Sequence, residues 1–374
     1  MATLTQDATA VIARFNNDPG VTDDHVRNLY AAITGSPALT EQFNKAVASG
    51  AVKGIDVLTN ANAGAEYDPV NDAIRVPLSR LGNPQGPQDR AEITFTMGHE
   101  VQHGLNSSGR DQMLASFRQD VIHRAQSPGP VHDYTDLLQG RLDAHRTDES
   151  SSHLAGWNAL ASMVRQGNPK ATLRDVYDEL PRRAEDFVTK QNGSPPTASP
   201  KSNFSFSSDL SLSGTEQNIA AVGQHWYDNV SPKLGLSGTA DYPNLYARGA
   251  ISQIVQIEHH FHPPTPGVSM PVIGLDMTRL KLSEKQLEEA GLDFGANTTP
   301  MTYLDTSQSP RMSHTFQHTK GTLQHVSPVP EATPDLAAPK EQPANAPRHP
   351  LHEQADTLVR QLDRDMGRER DVYS

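Results

Sequence analysis

The sequence predicts an α+β fold, mainly helical with a small sheet, and three observations carry that prediction. Apolar residues recur at spacings of three and four through residues 1–50, 89–106, 149–164 and 218–258, the period of an amphipathic helix. Two short runs rich in β-branched residues, at 54–58 and 73–78, stand between the first two of these stretches. Residues 327–350 hold seven prolines in 24 residues, a composition that builds neither element and reads as a linker.

Taken in order, residues 1–50 predict a helical cap. Val11 and Phe15, then Val26, Leu29, Tyr30 and Ile33, mark one apolar face, interrupted by Asn17-Asp18-Pro19-Gly20. Gly54-Ile55-Asp56-Val57-Leu58 and Ala73-Ile74-Arg75-Val76-Pro77-Leu78 read as strands. Pro77 cannot donate to a ladder, so the second run lies at a sheet edge or ends there. After the turn Asn83-Pro84-Gln85-Gly86-Pro87, the spacing of Asp89 and Glu92 predicts a capping box and a helix that reaches about Asn106. Ile93, Met97, Val101 and Leu105 recur every four residues along that helix.

A further helix is predicted over Asp111 to Arg124, then a Ser-Pro-Gly-Pro break at 127–130. Another helix follows in which Leu154, Trp157, Leu160, Ala161 and Val164 have helical spacing. Residues 192–214, dominated by Ser, Pro, Gly and Asn, read as a flexible loop. Helical patterning returns from Asn218 to Glu258. The predicted organisation is a cap over 1–50, one domain over 51–326, a Pro-rich linker over 327–350 and a short tail over 351–374.

Composition narrows the function classes. A chain of 374 residues can bury a substantial core, although 35% hydrophobic residues and a mean hydropathy of −0.58 are low for a wholly compact protein. A net charge of −12 argues against a nucleic-acid partner, which would call for a basic patch. The absence of Cys excludes disulfides and thiolate metal sites. No run is long and apolar enough for a membrane span, and the amino terminus lacks the pattern of a signal peptide.

The chemistry concentrates in His99-Glu100-Val101-Gln102-His103. On a helix, residues four apart share a face, so His99 and His103 can offer two imidazoles to one Zn2+ while Glu100 sits beside them. With 16 His in the chain, chance would produce this pattern about 0.03 times. A catalytic zinc takes a third protein ligand and leaves one position open. The metzincin pattern would place a histidine six residues past His103, where this chain has Gly109. The better candidate is Glu149, on the polar side of the helix that carries Trp157, with His145, Asp148 and His153 as alternatives on the same stretch.

These residues resemble the gluzincin group of zinc metallopeptidases, in which His-Glu-x-x-His on one helix is completed by a glutamate on a later one. The resemblance implies a zincin-like domain, zinc bound by His99, His103 and Glu149, and Glu100 as the group that takes a proton from the zinc-activated water and returns it to the leaving amine. It also implies an acidic residue four positions after the glutamate, bonded to the first histidine; that position holds His153. An oxyanion donor is expected downstream, with Tyr246 and Arg248 the first candidates and His225, Tyr227 and Tyr242 behind them. The histidine groups Glu258-His259-His260-Phe261-His262 and His314/His318/His325 read as loop histidines.

After the linker, His349-Pro350-Leu351-His352-Glu353-Gln354-Ala355 resembles the start of the C-terminal recognition domain of antibacterial type IV secretion effectors from the Xanthomonas group. That resemblance implies secretion without a signal peptide into a target bacterial cell, a coupling protein that binds the tail, and a cognate immunity protein. The expected function is a zinc-dependent peptide-bond hydrolase acting on a peptide or protein substrate. A peptidase of peptidoglycan stem peptides and a non-catalytic zinc-binding interaction protein are the alternatives.

Overall fold

The computed structural model describes residues 2–59, 64–82, 85–229, 231, 233–235 and 237–325, with the backbone of Glu331–Ala332. Along the chain these form α1 (Gln6–Arg14), α2 (Asp23–Thr34), α3 (Pro37–Ala48), β1 (Gly54–Val57), β2 (Glu66–Asp68), β3 (Ala73–Val76), α4 (Pro87–Ala125), β4 (Val131–Asp133) and α5 (Thr135–Gly167). There follow α6 (Leu173–Glu179), α7 (Pro181–Ala184), β5 (Val188–Gln191), β6 (Thr197–Pro200), α8 (Glu216–His225), α9 (Tyr242–Phe261), β7 (Val272–Leu275), α10 (Glu284–Glu289), β8 (Met301–Asp305), β9 (Met312–Phe316) and β10 (Glu331–Ala332). The fold class is α+β, as expected. The tail over 351–374, and the linker over 327–350 apart from β10, lie outside the described residues.

The described residues divide into two compact units. The first takes the chain up to Arg110 and returns for Arg146–Asn229; the second takes Asp111–His145 and the described residues beyond Asn229. The 1–50 stretch therefore shares a unit with the helix that carries His99 and His103, and the span 51–326 is divided between both units. The division falls inside α4 and α5.

In the first unit the three N-terminal helices are capped by Thr5, Thr22 and Ser36, whose hydroxyls accept from the N–H three residues on. Each satisfies a backbone donor that the helix itself leaves open. Their apolar faces, including Phe15, Leu29, Ile33, Leu39 and Phe43, share one core with Ile55, Ile74 and Val76 of the sheet and with Ile93, Met97 and Val101 of α4. Burying a side chain of that size stabilises by about 1.5–3 kcal/mol. The four-residue stripe read from the sequence is thus what holds α4 against the cap. The sheet order is β1-β3-β2, with β1 parallel and β2 antiparallel to β3. β3 is the central strand and Pro77 ends it, so the edge alternative for Pro77 is not realised. The edges are β1 and β2, and β2 is too short to read from the sequence.

Three local expectations are corrected. Asp89 and Glu92 do not form a capping box: Asp89 Oδ1 accepts from Arg80 at 2.8 Å and Glu92 Oε1 from Arg183 at 2.6 Å, and the helix begins two residues earlier at Pro87. Pro is suited to a first helical turn because its missing N–H has no partner there anyway. The helices expected at 89–106 and 111–124 are one helix of 39 residues. The Gly-rich, Ser-rich middle that suggested a break is retained because Gly104 packs where a Cβ would lie 3.0 Å from the Ala51 carbonyl oxygen and 3.1 Å from the Tyr67 ring. Within the expected loop at 192–214, Thr197–Pro200 pairs antiparallel with Val188–Gln191. Pro200 closes that strand at its end, where a missing donor costs least.

The second unit has a sheet of order β10-β9-β8-β7-β4, in which β4, β7 and β8 run parallel and β9 turns back. Ile273, Leu275, Met301, Tyr303 and Phe316 meet Ile251, Ile254 and Val255 of α9 and Phe117, Val121 and Ile122 of α4 in a separate core. No helix of the described residues is long and apolar enough to cross a membrane.

Candidate metal centre

Two helices of the first unit build the site. α4 presents His99, Glu100 and His103; α5 presents Asp148, Glu149 and His153. Their separation is set at Gly98 and Gly156. A Cβ on Gly98 would fall 2.8 Å from the Ala159 Cβ and 3.0 Å from the Ala155 carbonyl oxygen, and one on Gly156 would fall 2.9 Å from the Phe95 carbonyl oxygen. Only a residue without a side chain permits that approach. Gly98 immediately precedes the first histidine, so the close crossing is what brings Glu149 to the imidazoles.

His99 Nε2 and His103 Nε2 face each other at 3.0 Å. Glu149 Oε2 lies 3.6 Å from His99 Nε2, and Glu149 Oε1 lies 3.8 Å from His103 Nε2. Bonds of about 2.0–2.1 Å in tetrahedral geometry place ligand atoms about 3.4 Å apart. The three observed separations bracket that value, so the donor set fits a zinc-sized ion with shifts of a few tenths of an ångström. Glu149 is therefore the acid brought to both imidazoles. Two imidazoles and a carboxylate could hold a metal ion, and as donors they suit zinc and its first-row neighbours.

The support behind the histidines differs from what the resemblance implied. The acid bonded to a ligand is Asp148, whose Oδ2 is 3.1 Å from His103 Nδ1. Asp148 precedes the glutamate by one residue and serves the second histidine. Its Oδ1 accepts from Asn106 Nδ2 at 2.7 Å, and Asn106 also donates to Ser151 Oγ. Such a carboxylate fixes the tautomer and orientation of a ligating imidazole. Burial raises its proton affinity, but His103, Arg110 and Asn106 outweigh it and hold the Asp148 carboxyl well below the usual range.

His153 is spent elsewhere. Its Nε2 is 2.9 Å from Asp186 Oδ2, and its ring is stacked on Trp226 at 3.8 Å and edge-on to His99 at 5.9 Å. Together with Phe95 and Phe187 it forms an aromatic wall beside the first ligand. Of the three alternatives for the third ligand, Asp148 stands behind His103 and His153 packs in that wall. His145 belongs to the second unit, stacked on Tyr246 at 4.2 Å.

Glu100 is buried, and burial, with Glu149 and Glu66 adding to it against the pull of His103, pushes its carboxyl up to about 8. The backbone N–H of Tyr67 in β2 donates to it. A divalent cation held by the three donors would pull that proton affinity down. The two rings are unequal: burial moves His99 down to about 4, whereas Asp148 and Glu149 overcome burial at His103 and move it up to about 9.

Tyr246 and Arg248, the expected oxyanion donors, lie on α9 in the second unit, where Arg248 Nη1 donates to the Ala290 carbonyl at 3.2 Å. Tyr242 stacks on Tyr246 in the same unit. His225 is at the end of α8, bonded to the Ser202 carbonyl, and Tyr227 is buried just after it. Asp148, Asp186 and the Gly98/Gly156 crossing are the parts of the site that sequence reasoning missed as such. The glycines carried the one legible signal, a Gly directly before the motif and another seven residues past Glu149.

Comparison of the chain with protein-family models, with curated proteins and with solved structures finds no match.

Proposed function

We propose that this protein is a zinc-dependent peptide-bond hydrolase whose first unit is zincin-like. One observation supports the reading above the others: His99, His103 and Glu149, from two helices, converge within ligand spacing while a further carboxyl, Glu100, is buried next to them. Zinc held by such a set supplies a Lewis acid and a water whose pKa approaches neutrality. Glu100 is the chain's own proton carrier. Held by the Tyr67 N–H and set between Glu149 and His103, it takes a proton at its carboxylate and returns it to a leaving amine. Asp148 keeps the His103 ring in one tautomer, and the His153–Trp226 wall excludes water from one side of His99.

The sheet supports a peptide as the substrate. β2, whose backbone holds Glu100, is an edge strand of its sheet, and an extended peptide recognises such an edge through main-chain hydrogen bonds. Delivery into another bacterial cell, with a coupling protein and an immunity partner, is part of the proposal and is carried by residues 349–355 alone.

The test is metal content together with hydrolysis by the full chain and by Glu100→Gln, offered unfolded proteins and, separately, purified cell-wall sacculi. The expected result is one substrate class cut by the wild type and left intact by a variant that still holds zinc. A variant as active as the wild type overturns the catalytic reading, and the substrate that is cut separates a protein hydrolase from a stem-peptide hydrolase.

A further inference from the structure

A second set of metal-ligating side chains lies in the second unit. Glu258 and His262 stand one turn apart at the C-terminal end of α9, and His132 comes from β4. The loop reading of the 258–262 group and of His314 is corrected: Glu258, His259 and His260 lie in α9 with His262 at its C-cap, and His314 lies in β9. Glu258 is fully buried and His132 is 1% exposed. His132 Nδ1 is 2.7 Å from Glu258 Oε1, and His262 Nε2 is 3.8 Å from Glu258 Oε2, with the two rings 5.5 Å apart. One candidate ligand atom from each of the three side chains lies within 4.8 Å of the others.

We propose that His132, Glu258 and His262 form a second binding site for a divalent first-row cation such as Zn2+, distinct from the candidate catalytic one.

Three features point to a cation. Glu258 Oε2 is buried and has no hydrogen-bond partner among the described residues, although an unsatisfied buried carboxylate oxygen is costly. Its other oxygen accepts from the Tyr134 hydroxyl at 2.5 Å as well as facing His132. The surroundings are also negative. α9 and α4 both end here, α4 at Ala125, and a helix C-terminus carries about half a negative charge. The Ala125 carbonyl oxygen lies 2.7 Å from His262 Nε2, and the Ser127 carbonyl accepts from His132 Nε2 at 2.9 Å. That last bond is the backbone support usual behind a ligating histidine: it fixes the tautomer and leaves Nδ1 turned to Glu258. Arg124, at the same helix end, donates to the Asp133 carbonyl at 2.7 Å. A carboxylate, two carbonyls and two helix ends therefore surround the imidazoles, an arrangement that a divalent ion satisfies and a single imidazolium satisfies in part. Among the described residues no further carboxyl is grouped with these three side chains, so the ion would tie β4 to α9 and not activate a water.

The test uses the full chain, equilibrated with Zn2+, freed of unbound metal and analysed for zinc per protein. The expected count is two for the wild type, one for His262→Ala and one for the double variant His99→Ala/His103→Ala. His262 has a side chain 31% exposed, so its removal leaves the core in place; circular dichroism checks this, and His262→Gln repeats the measurement with a larger side chain. A wild-type count of one or none overturns the proposal, as does a His262→Ala count equal to the wild type, or a folded double variant that holds no zinc. The double variant's remaining ion is read independently of any hydrolysis.

Discussion

The two constellations have the same donors, two histidines and a glutamate, and differ in what stands around them. At His99/His103/Glu149 the imidazoles are backed by Asp148, and a further carboxyl, Glu100, is buried alongside, held by the Tyr67 backbone N–H and drawn by His103. At His132/Glu258/His262 the neighbours are backbone carbonyls, helix ends and a tyrosine hydroxyl. On the proposed readings, the first arrangement holds an ion and moves a proton, and the second holds an ion. The same donors then serve both proposed roles, and the spare acid is what separates them.

The largest expected effect removes that spare acid. Glu100→Gln should lower the hydrolysis rate by about 100- to 10,000-fold, the usual worth of a positioned general base, with zinc content unchanged by metal analysis. If the rate is kept, the two sites are of one kind. Asp148→Asn sharpens the contrast in support: zinc affinity at the first site should fall about 10- to 100-fold, as when a carboxylate behind a ligating histidine is lost. A competitive chelator titration checks this, and the proposed second site should be untouched.

A smaller effect tests the helix crossing. Gly98→Ala places a methyl group where backbone and side chain of α5 already stand, so it should cost about 1–3 kcal/mol in urea unfolding and weaken zinc binding together. Gly109→Ala, in the same helix with open space around it, should instead stabilise by about 0.5–1 kcal/mol. A further effect depends on pH. Burial disfavours the Glu92 carboxylate, but Arg183 and Arg182 outweigh it and lower its pKa. Its contribution is therefore complete above the unfolded carboxyl pKa of about 4.3 and is lost as pH falls through the lower folded value. Glu92→Gln should be less stable than wild type by about 1–3 kcal/mol at pH 7, and the gap should shrink below pH 4 in denaturant melts.

The helix of the candidate metal centre was legible because its information is local. His99 and His103 share a face at four residues' spacing, and Ile93, Met97 and Val101 occupy another stripe; no distant contact is needed to see either. Glu149 was legible in part, since the periodicity of Leu154, Trp157 and Leu160 placed it on a polar face but did not rank it above Asp148 or His153. The strands β2 and β4 to β9 were missed because each has three to five residues, too few for an alternating pattern without the turn signals that frame β1 and β3, and their partners supply the ladder. His132 and Glu258 are 126 residues apart. Only the Glu258/His262 spacing, at the end of a predicted helix, hinted at that cluster.

By itself the sequence determined the helical periods, the His-Glu-x-x-His face and the α+β class, because these depend on neighbours within a turn or two. The tertiary structure alone decided which acid meets the imidazoles, that Asp148 stands behind His103, and that Glu258 is buried between two helix ends. Those outcomes depend on how closely helices approach, and that approach is set by steric exclusion at residues such as Gly98 and Gly156, whose partners lie far away along the chain.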